Sequence, residues 1–248
     1  MNKIKLMGCG ISIGSKSDFE KTILHHAQIK ASKTVFVANV HMLIEAVQSK
    51  KFGKMFNDAD IVTPDGMPLC YALKRLHRIE QERVAGMDLL SNLLQKAEEN
   101  KISVFFYGST PETLTKIRAR CMATYRNIDI AGMYSPPFRQ LTEIEEADIV
   151  TLINNSQAGM VFVALGCPKQ EQWMTQMKGK INAVMLGVGG AFPVFAQEIK
   201  RSPAWMQKYA LEWLFRLIQE PQRLWKRYLY TNTHFIYLLF KHILLKKT

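Results

Sequence analysis

Six short apolar runs recur between residues 34 and 189, each separated from the next by a longer segment, and this alternation limits what the chain can fold into. The runs are "TVFVANV" (34–40), "ADIVTP" (59–64), "ISVFFYG" (102–108), "IDIAGMY" (128–134), "GMVFVALG" (159–166) and "NAVMLGVG" (182–189). They are rich in β-branched and aromatic residues and most end in Gly, Pro or Asn, as buried strands do. The intervening segments 87–99 and 111–125 are amphipathic, and the second opens "STPETL", a cap, a first-turn proline and an early glutamate. Near-continuous apolar strands alternating with helices predict an α/β, Rossmann-like fold, a mainly parallel sheet with helices on both faces. The N-terminal "MNKIKLMGCGISIG" starts basic, but its apolar residues run out quickly, so it reads as a first strand and turn rather than a signal peptide.

The pattern changes near residue 200. Residues 1–199 read as the α/β core and residues 200–248 as a basic, aromatic, helical appendage. That appendage holds three of the four tryptophans, and residues 201–248 carry nine Lys and Arg against two Glu, a surplus of seven in a chain of net charge +12. A basic end implies an anionic partner: nucleic acid, lipid head groups or phosphates. Trp205, Leu211, Leu214, Phe215 and Ile218 suit one helical face, and Pro221 should start a further helix. No stretch reaches the roughly 18 apolar residues that a membrane span needs. The four cysteines, Cys9, Cys70, Cys121 and Cys167, form no C-x-x-C pair, which argues against a disulfide framework or thiolate zinc site and fits a cytoplasmic setting.

Sheets of this kind bind ligands at the carboxyl ends of their strands. That rule selects Asn39 with His41 beyond it, Asp65, Gly108-Ser109-Thr110, Tyr134-Ser135, Gly166 through Gln170, and Gly187 through Gly190, and predicts that they converge on one rim. Asp65 sits in "VTPDGMPL", between a proline that fixes its own φ and a glycine that tolerates unusual backbone. Such a turn holds a carboxylate still, but an ordinary helix cap would look the same. "GCPKQEQW" places Lys169 and Gln170 at a helix start, where free N–H groups favour a phosphate or a sugar hydroxyl. "GVGGAF" offers Gly189 and Gly190 for close backbone approach, although it is not a G-x-G-x-x-G signature. Asp58-Ala59-Asp60 has the D-x-D form of metal–nucleotide sites, but it precedes a strand, at the end of the sheet away from ligands, and no metal is expected there. Cys167 reads as a packed thiol.

The motifs "VTPDGMPL", "ERVAGMDLL", "FFYGSTPE", "VFVALGCPKQEQWM", "GVGGAF" and "KRSPAWMQKYALEWLFRLIQEPQRLWKRYL" occur in this order over nearly the whole chain. Together they resemble the WecG/TagA/CpsF family of bacterial glycosyltransferases. The resemblance implies inverting transfer of a sugar, N-acetylmannosamine or a related hexose or uronic acid, from a UDP-sugar to a polyprenyl-diphosphate-linked saccharide in teichoic acid or surface polysaccharide synthesis. It implies Asp65 as the base that deprotonates the acceptor hydroxyl and no metal cofactor. Asn39, Arg83, Gly108, Lys169, Gln170, Gly189 and Gly190 become candidate substrate contacts. Arg216, Arg223 and Arg227 become candidate diphosphate or lipid contacts. A homo-oligomer is plausible by the same analogy. Two departures stand out: Val37 where some members have threonine, and Pro193-Val194 where many continue "DF". "YSPPF" also differs from the His-rich version in teichoic acid enzymes, so glucose transfer in exopolysaccharide synthesis stays open.

The basic tail fits a lipid-linked acceptor at the inner face of the cytoplasmic membrane. Its Lys/Arg cluster, including Lys241, Lys246 and Lys247, would meet anionic head groups, with Trp205, Trp213, Trp225 and the aromatics of 235–240 at the interface. A binding protein without catalysis is the rival class. Interleaved aromatic and basic residues also suit single-stranded nucleic acid, but no nucleic-acid motif accompanies them and none is expected as a partner.

Overall fold

The structure, a computed structural model, describes residues 1–245. It opens with a hairpin of β1 (Lys3–Leu6) and β2 (Cys9–Ser12), turned at Met7 and Gly8, which both have positive φ as a tight hairpin turn requires. Helix α1 (Lys16–Gln28) leads to β3 (Lys33–Ala38), α2 (Val40–Gln48), α3 (Lys50–Asp58) and β4 (Ile61–Pro64). Then come α4 (Met67–His77), α5 (Gly86–Glu99), β5 (Val104–Gly108), α6 (Pro111–Thr124), β6 (Ile130–Tyr134), α7 (Glu143–Asn155), β7 (Met160–Ala164), α8 (Lys169–Met177) and β8 (Val184–Gly187). Short α9 (Ala191–Phe195) and α10 (Ala204–Lys208) precede α11 (Glu212–Gln219) and the long α12 (Pro221–Leu245).

The six expected strands form one parallel sheet in the order β4-β3-β8-β7-β5-β6. Alternate residues of each strand enter cores on opposite faces. Phe36, Phe105, Val161 and Met185 belong to one, and Val35, Val37, Val104, Phe106 and Phe162 to the other. Both faces are therefore apolar, which is why the strands read as continuous rather than alternating runs. Helix starts follow local chemistry. Thr110 caps α6 by accepting from Thr113 N ahead of Pro111, and Thr142 with Glu145 forms a capping box on α7.

The C-terminal helices correct two expectations. Trp205 lies on α10, cut off from α11 by a turn through Ala210 at positive φ, so it does not share a helical face with Leu211, Leu214, Phe215 and Ile218. Phe235 is buried in the core with Leu238, Leu239 and Ile243 packed beside it, as α12 lies along α2. It is a packing anchor rather than an interfacial aromatic. Tyr237 and Phe240, by contrast, are exposed, as are Trp205, Trp213 and Trp225. Lys246 and Lys247 lie outside the described residues. Among those described, no helix is long and apolar enough to cross a membrane.

Candidate active site

A cleft of about 260 Å³ opens at the carboxyl ends of β4, β3, β8 and β7, and segments 200–232 complete its wall. Asp65 stands where β4 ends. Its backbone N–H donates to Ala38 O at 2.8 Å on the neighbouring strand, and Val84 N donates to Pro64 O at 2.9 Å, which draws the 81–85 segment alongside. Gly66, not Asp65, is the N-cap of α4. The carboxylate is thus not consumed as a helix cap and faces the cleft.

Arg83 organises this corner. Its Nε donates to the Asp65 carbonyl oxygen, and its Nη2 donates both to Asp65 Oδ1, at 3.3 Å, and to Glu212 Oε2 from the start of α11. One guanidinium therefore links a strand end of the sheet to the C-terminal helices. Burial pushes the Asp65 carboxyl up to about 6, against the pull of Arg83 and with a further push from Glu212. At neutral pH it is ionised yet far more basic than a free aspartate, the state a general base requires.

The opposite wall is glycine backbone gripped from two sides. Arg216 Nη2 reaches Gly190 O at 3.4 Å, and a Cβ on Gly190 would sit 2.5 Å from that nitrogen. A Cβ on Gly189, whose φ is +38°, would sit 2.9 Å from Gln170 Oε1. Gln170 is buried, accepts from Gly166 N at 3.2 Å and donates to Glu171 Oε1 at 2.7 Å. Glu171 is fully buried, its carboxyl pushed up to about 7 by burial, with Oε2 unpartnered. Asn39 caps α2 through Oδ1, which accepts from Met42 N at 3.1 Å. That leaves its Nδ2 donors for the cleft. His41 is held down to about 4 by burial and by Arg227, so its imidazole is neutral. Arg227 itself lies over the Tyr228 ring at 5.5 Å with Nε unpartnered, while Arg223 is paired with Glu220 at 2.5 Å. Burial raises the Cys167 thiol far above the usual range, consistent with a packed thiol rather than a nucleophile.

A carboxylate, a glycine wall and several arginines thus share one rim of the parallel sheet. Residues 4–248 match the Glycosyl transferase WecG/TagA/CpsF family. The chain belongs to this family. It is 34% identical, over 196 residues, to an N-acetylglucosaminyldiphosphoundecaprenol N-acetyl-beta-D-mannosaminyltransferase of Bacillus spizizenii, covering 79% of this chain and 74% of the relative. It is 31% identical over 206 residues to the Bacillus subtilis protein of the same description, covering 83% and 78%.

Against this WecG/TagA/CpsF background, the structure sorts the residues singled out in the sequence. Asn39, Asp65, Arg83, Gln170, Gly189, Gly190, Arg216, Arg223 and Arg227 all line the cleft. Gly108 and Lys169 do not. Gly108, at φ +107°, would place a Cβ 2.5 Å from Ala164 O, so it serves the close approach of β5 to β7. Lys169 is the exposed first residue of α8, and the turn of about 100° per residue brings Gln170 inward instead. The ends of β5 and β6 also fail to join the rim, because β7 separates them from β8. Asp60 is spent on ion pairs with Lys33 at 3.0 Å and Lys178 at 2.8 Å. Glu212 and Glu171 were missed. Glu212 carried one signal, being one of only two acids in the basic tail.

Proposed function

We propose that this family member transfers a hexosyl group from a UDP-sugar to a sugar hydroxyl of a polyprenyl-diphosphate-linked acceptor, with inversion at the anomeric carbon. The observation that carries the reading is Asp65, a carboxylate at the cleft wall with its acidity pushed up to about 6 and its backbone tied at both neighbours. Asp65 takes the proton of the acceptor hydroxyl as the oxygen attacks the anomeric carbon, and the bond to the UDP oxygen breaks on the opposite side. Positioning before substrate arrives reduces the entropic part of the barrier. Arg216, held across Gly190, is the cation suited to the charge developing on the departing diphosphate. Arginines in that role supply fixed positive charge, and the proposed step calls on no metal ion.

The relatives' names support N-acetylmannosamine as the sugar and N-acetylglucosaminyl diphosphoundecaprenol as the acceptor. Glucose remains the second reading because Val37 lines the cleft where some members carry threonine. Exposed Trp205, Tyr237 and Phe240 beside Lys241 support peripheral attachment to an anionic membrane face. The test is UDP release from a panel of UDP-sugars with a lipid-diphosphate N-acetylglucosamine acceptor, in EDTA, comparing wild type with Asp65→Asn. Acceptor-dependent turnover that survives EDTA and disappears in the variant supports the reading. A fully active Asp65→Asn refutes the assignment of the base.

A further inference from the structure

Beside the cleft runs a second, apolar hollow of about 350 Å³ between α11 and α12. Its walls include Trp213, Leu217, Trp225, Tyr228, Leu229 and Ile236. Four of these are conspicuously exposed for apolar residues: Trp213 at 39%, Trp225 at 49%, Leu229 at 65% and Ile236 at 52%. Leu229 and Ile236 are seven residues apart on α12 and so lie along one face of that helix.

The hollow is continuous with the cleft. Trp213, Tyr228 and Asn232 line both, and Trp213 and Tyr228 meet edge to face at 6.0 Å to form the sill between them. The cationic groups stand on the cleft side of that sill. Arg227 lies over Tyr228 with an unpartnered Nε, and Arg223 is the cleft-lining residue one turn earlier on α12. From Asp65 outward the surface therefore runs from carboxylate base, through arginines, over an aromatic sill, to an apolar trough. A lipid-diphosphate sugar has the same order of parts: hydroxyl, diphosphate, hydrocarbon.

We infer that the trough between α11 and α12 binds the first isoprene units of the acceptor, with Arg223 and Arg227 holding its diphosphate at the sill. The inference rests on the lipid-acceptor reading above and adds to it a lipid subsite made by the protein itself. A second copy of the chain would also cover apolar surface, but it would not account for arginines between the trough and the catalytic carboxylate. Bilayer contact alone would not require the trough to open into the cleft.

The test uses the full chain in vesicle-free, detergent-free buffer. Binding of farnesyl diphosphate and of inorganic pyrophosphate is followed by tryptophan fluorescence, Trp213 and Trp225 being in the trough. Farnesyl diphosphate should bind at least about tenfold more tightly than pyrophosphate, from burial of hydrocarbon at the trough. Leu229→Gln and Ile236→Gln, both at exposed positions where folding is not at stake, should each cut that preference about fivefold. Leu244→Gln, on α12 but outside the trough, should leave it intact. Equal binding of the two probes, or a preference untouched by the trough variants, or one lowered as much by Leu244→Gln, overturns the inference. In parallel, N-acetylglucosaminyl diphosphates with farnesyl and methyl tails are compared as acceptors. Failure of both as acceptors, with the binding preference intact and trough-dependent, refutes the transferase reading and leaves the lipid subsite standing.

Discussion

Asp65→Asn should remove activity and at the same time make the protein more stable, by an amount that depends on pH. Asp65 titrates at about 6 in the folded protein, against 3.8 for a free aspartate, with burial the leading cause. Because the folded value lies above the unfolded one, the native state holds this proton more tightly. Below pH 4 the group is protonated in both states and costs nothing. Between pH 4 and 6 the cost of keeping a buried carboxylate grows, and above 6 it is complete. A shift of about two units corresponds to about 3 kcal/mol. The side chain is 25% exposed, so most of that figure survives solvent screening. Asparagine keeps the shape and an acceptor oxygen for Arg83, whose Nη2 retains Glu212 as its charged partner. The variant should therefore gain about 2–3 kcal/mol at pH 7.5, seen as a melting temperature raised by roughly 5–10 °C for a chain of this size. Urea or thermal unfolding at pH 7.5, 6, 5 and 4 measures it. No gain at pH 7.5, or a gain of the same size at pH 4, would refute the claim that burial of an ionised base sets this carboxyl's acidity. Loss of stability at every pH would show Asp65 to be a structural counter-ion of Arg83 instead.

The remaining predictions follow from the same neighbourhood and from the packing beneath it. The acid limb of kcat/KM should lie near pH 6. Glu212→Gln, which removes a negative charge sharing Arg83 with Asp65, should move that limb to lower pH, and Arg83→Gln should move it higher; shifts of one sign in both would break the electrostatic argument. Gly190→Ala should lower activity by displacing the Arg216 guanidinium, whose flexible end can move, and should leave the unfolding midpoint nearly unchanged. Gly108→Ala should do the reverse of a site mutation, destabilising by more than about 2 kcal/mol in urea because its Cβ meets backbone and its φ is positive. Phe235→Ala should cost about 3 kcal/mol, since a large buried side chain anchoring α12 is lost. A cost below 1 kcal/mol would mean α12 is not part of the cooperative fold.

The sheet was legible because both of its faces are buried. A strand covered on two sides is apolar at every position, and six such runs between helices leave little choice but a parallel α/β layer. That topology also puts every strand's carboxyl end on one edge, which is why the strand-end rule picks out Asn39, Asp65, Gln170, Gly189 and Gly190. The order of strands was not legible. Nothing local to "ISVFFYG" says that β5 lies beyond β7, so the strand-end rule also selects Gly108, which packs against Ala164. The direction of a side chain at a helix start is equally invisible in the sequence, which offers Lys169 and Gln170 alike although only Gln170 faces the cleft.

The amino-acid order by itself thus determined the layer, the carboxylate turn after β4 and the basic character of the tail, since propensity, burial and net charge are sums over neighbours in the chain. Tertiary structure alone decided which four strand ends make the cleft and that Phe235 is core rather than surface. It alone decided that Glu212 meets Arg83 across 129 residues of chain. It also set the acidity of Asp65, because burial and the charges of Arg83, Glu212 and Arg216 come from segments that only folding brings together.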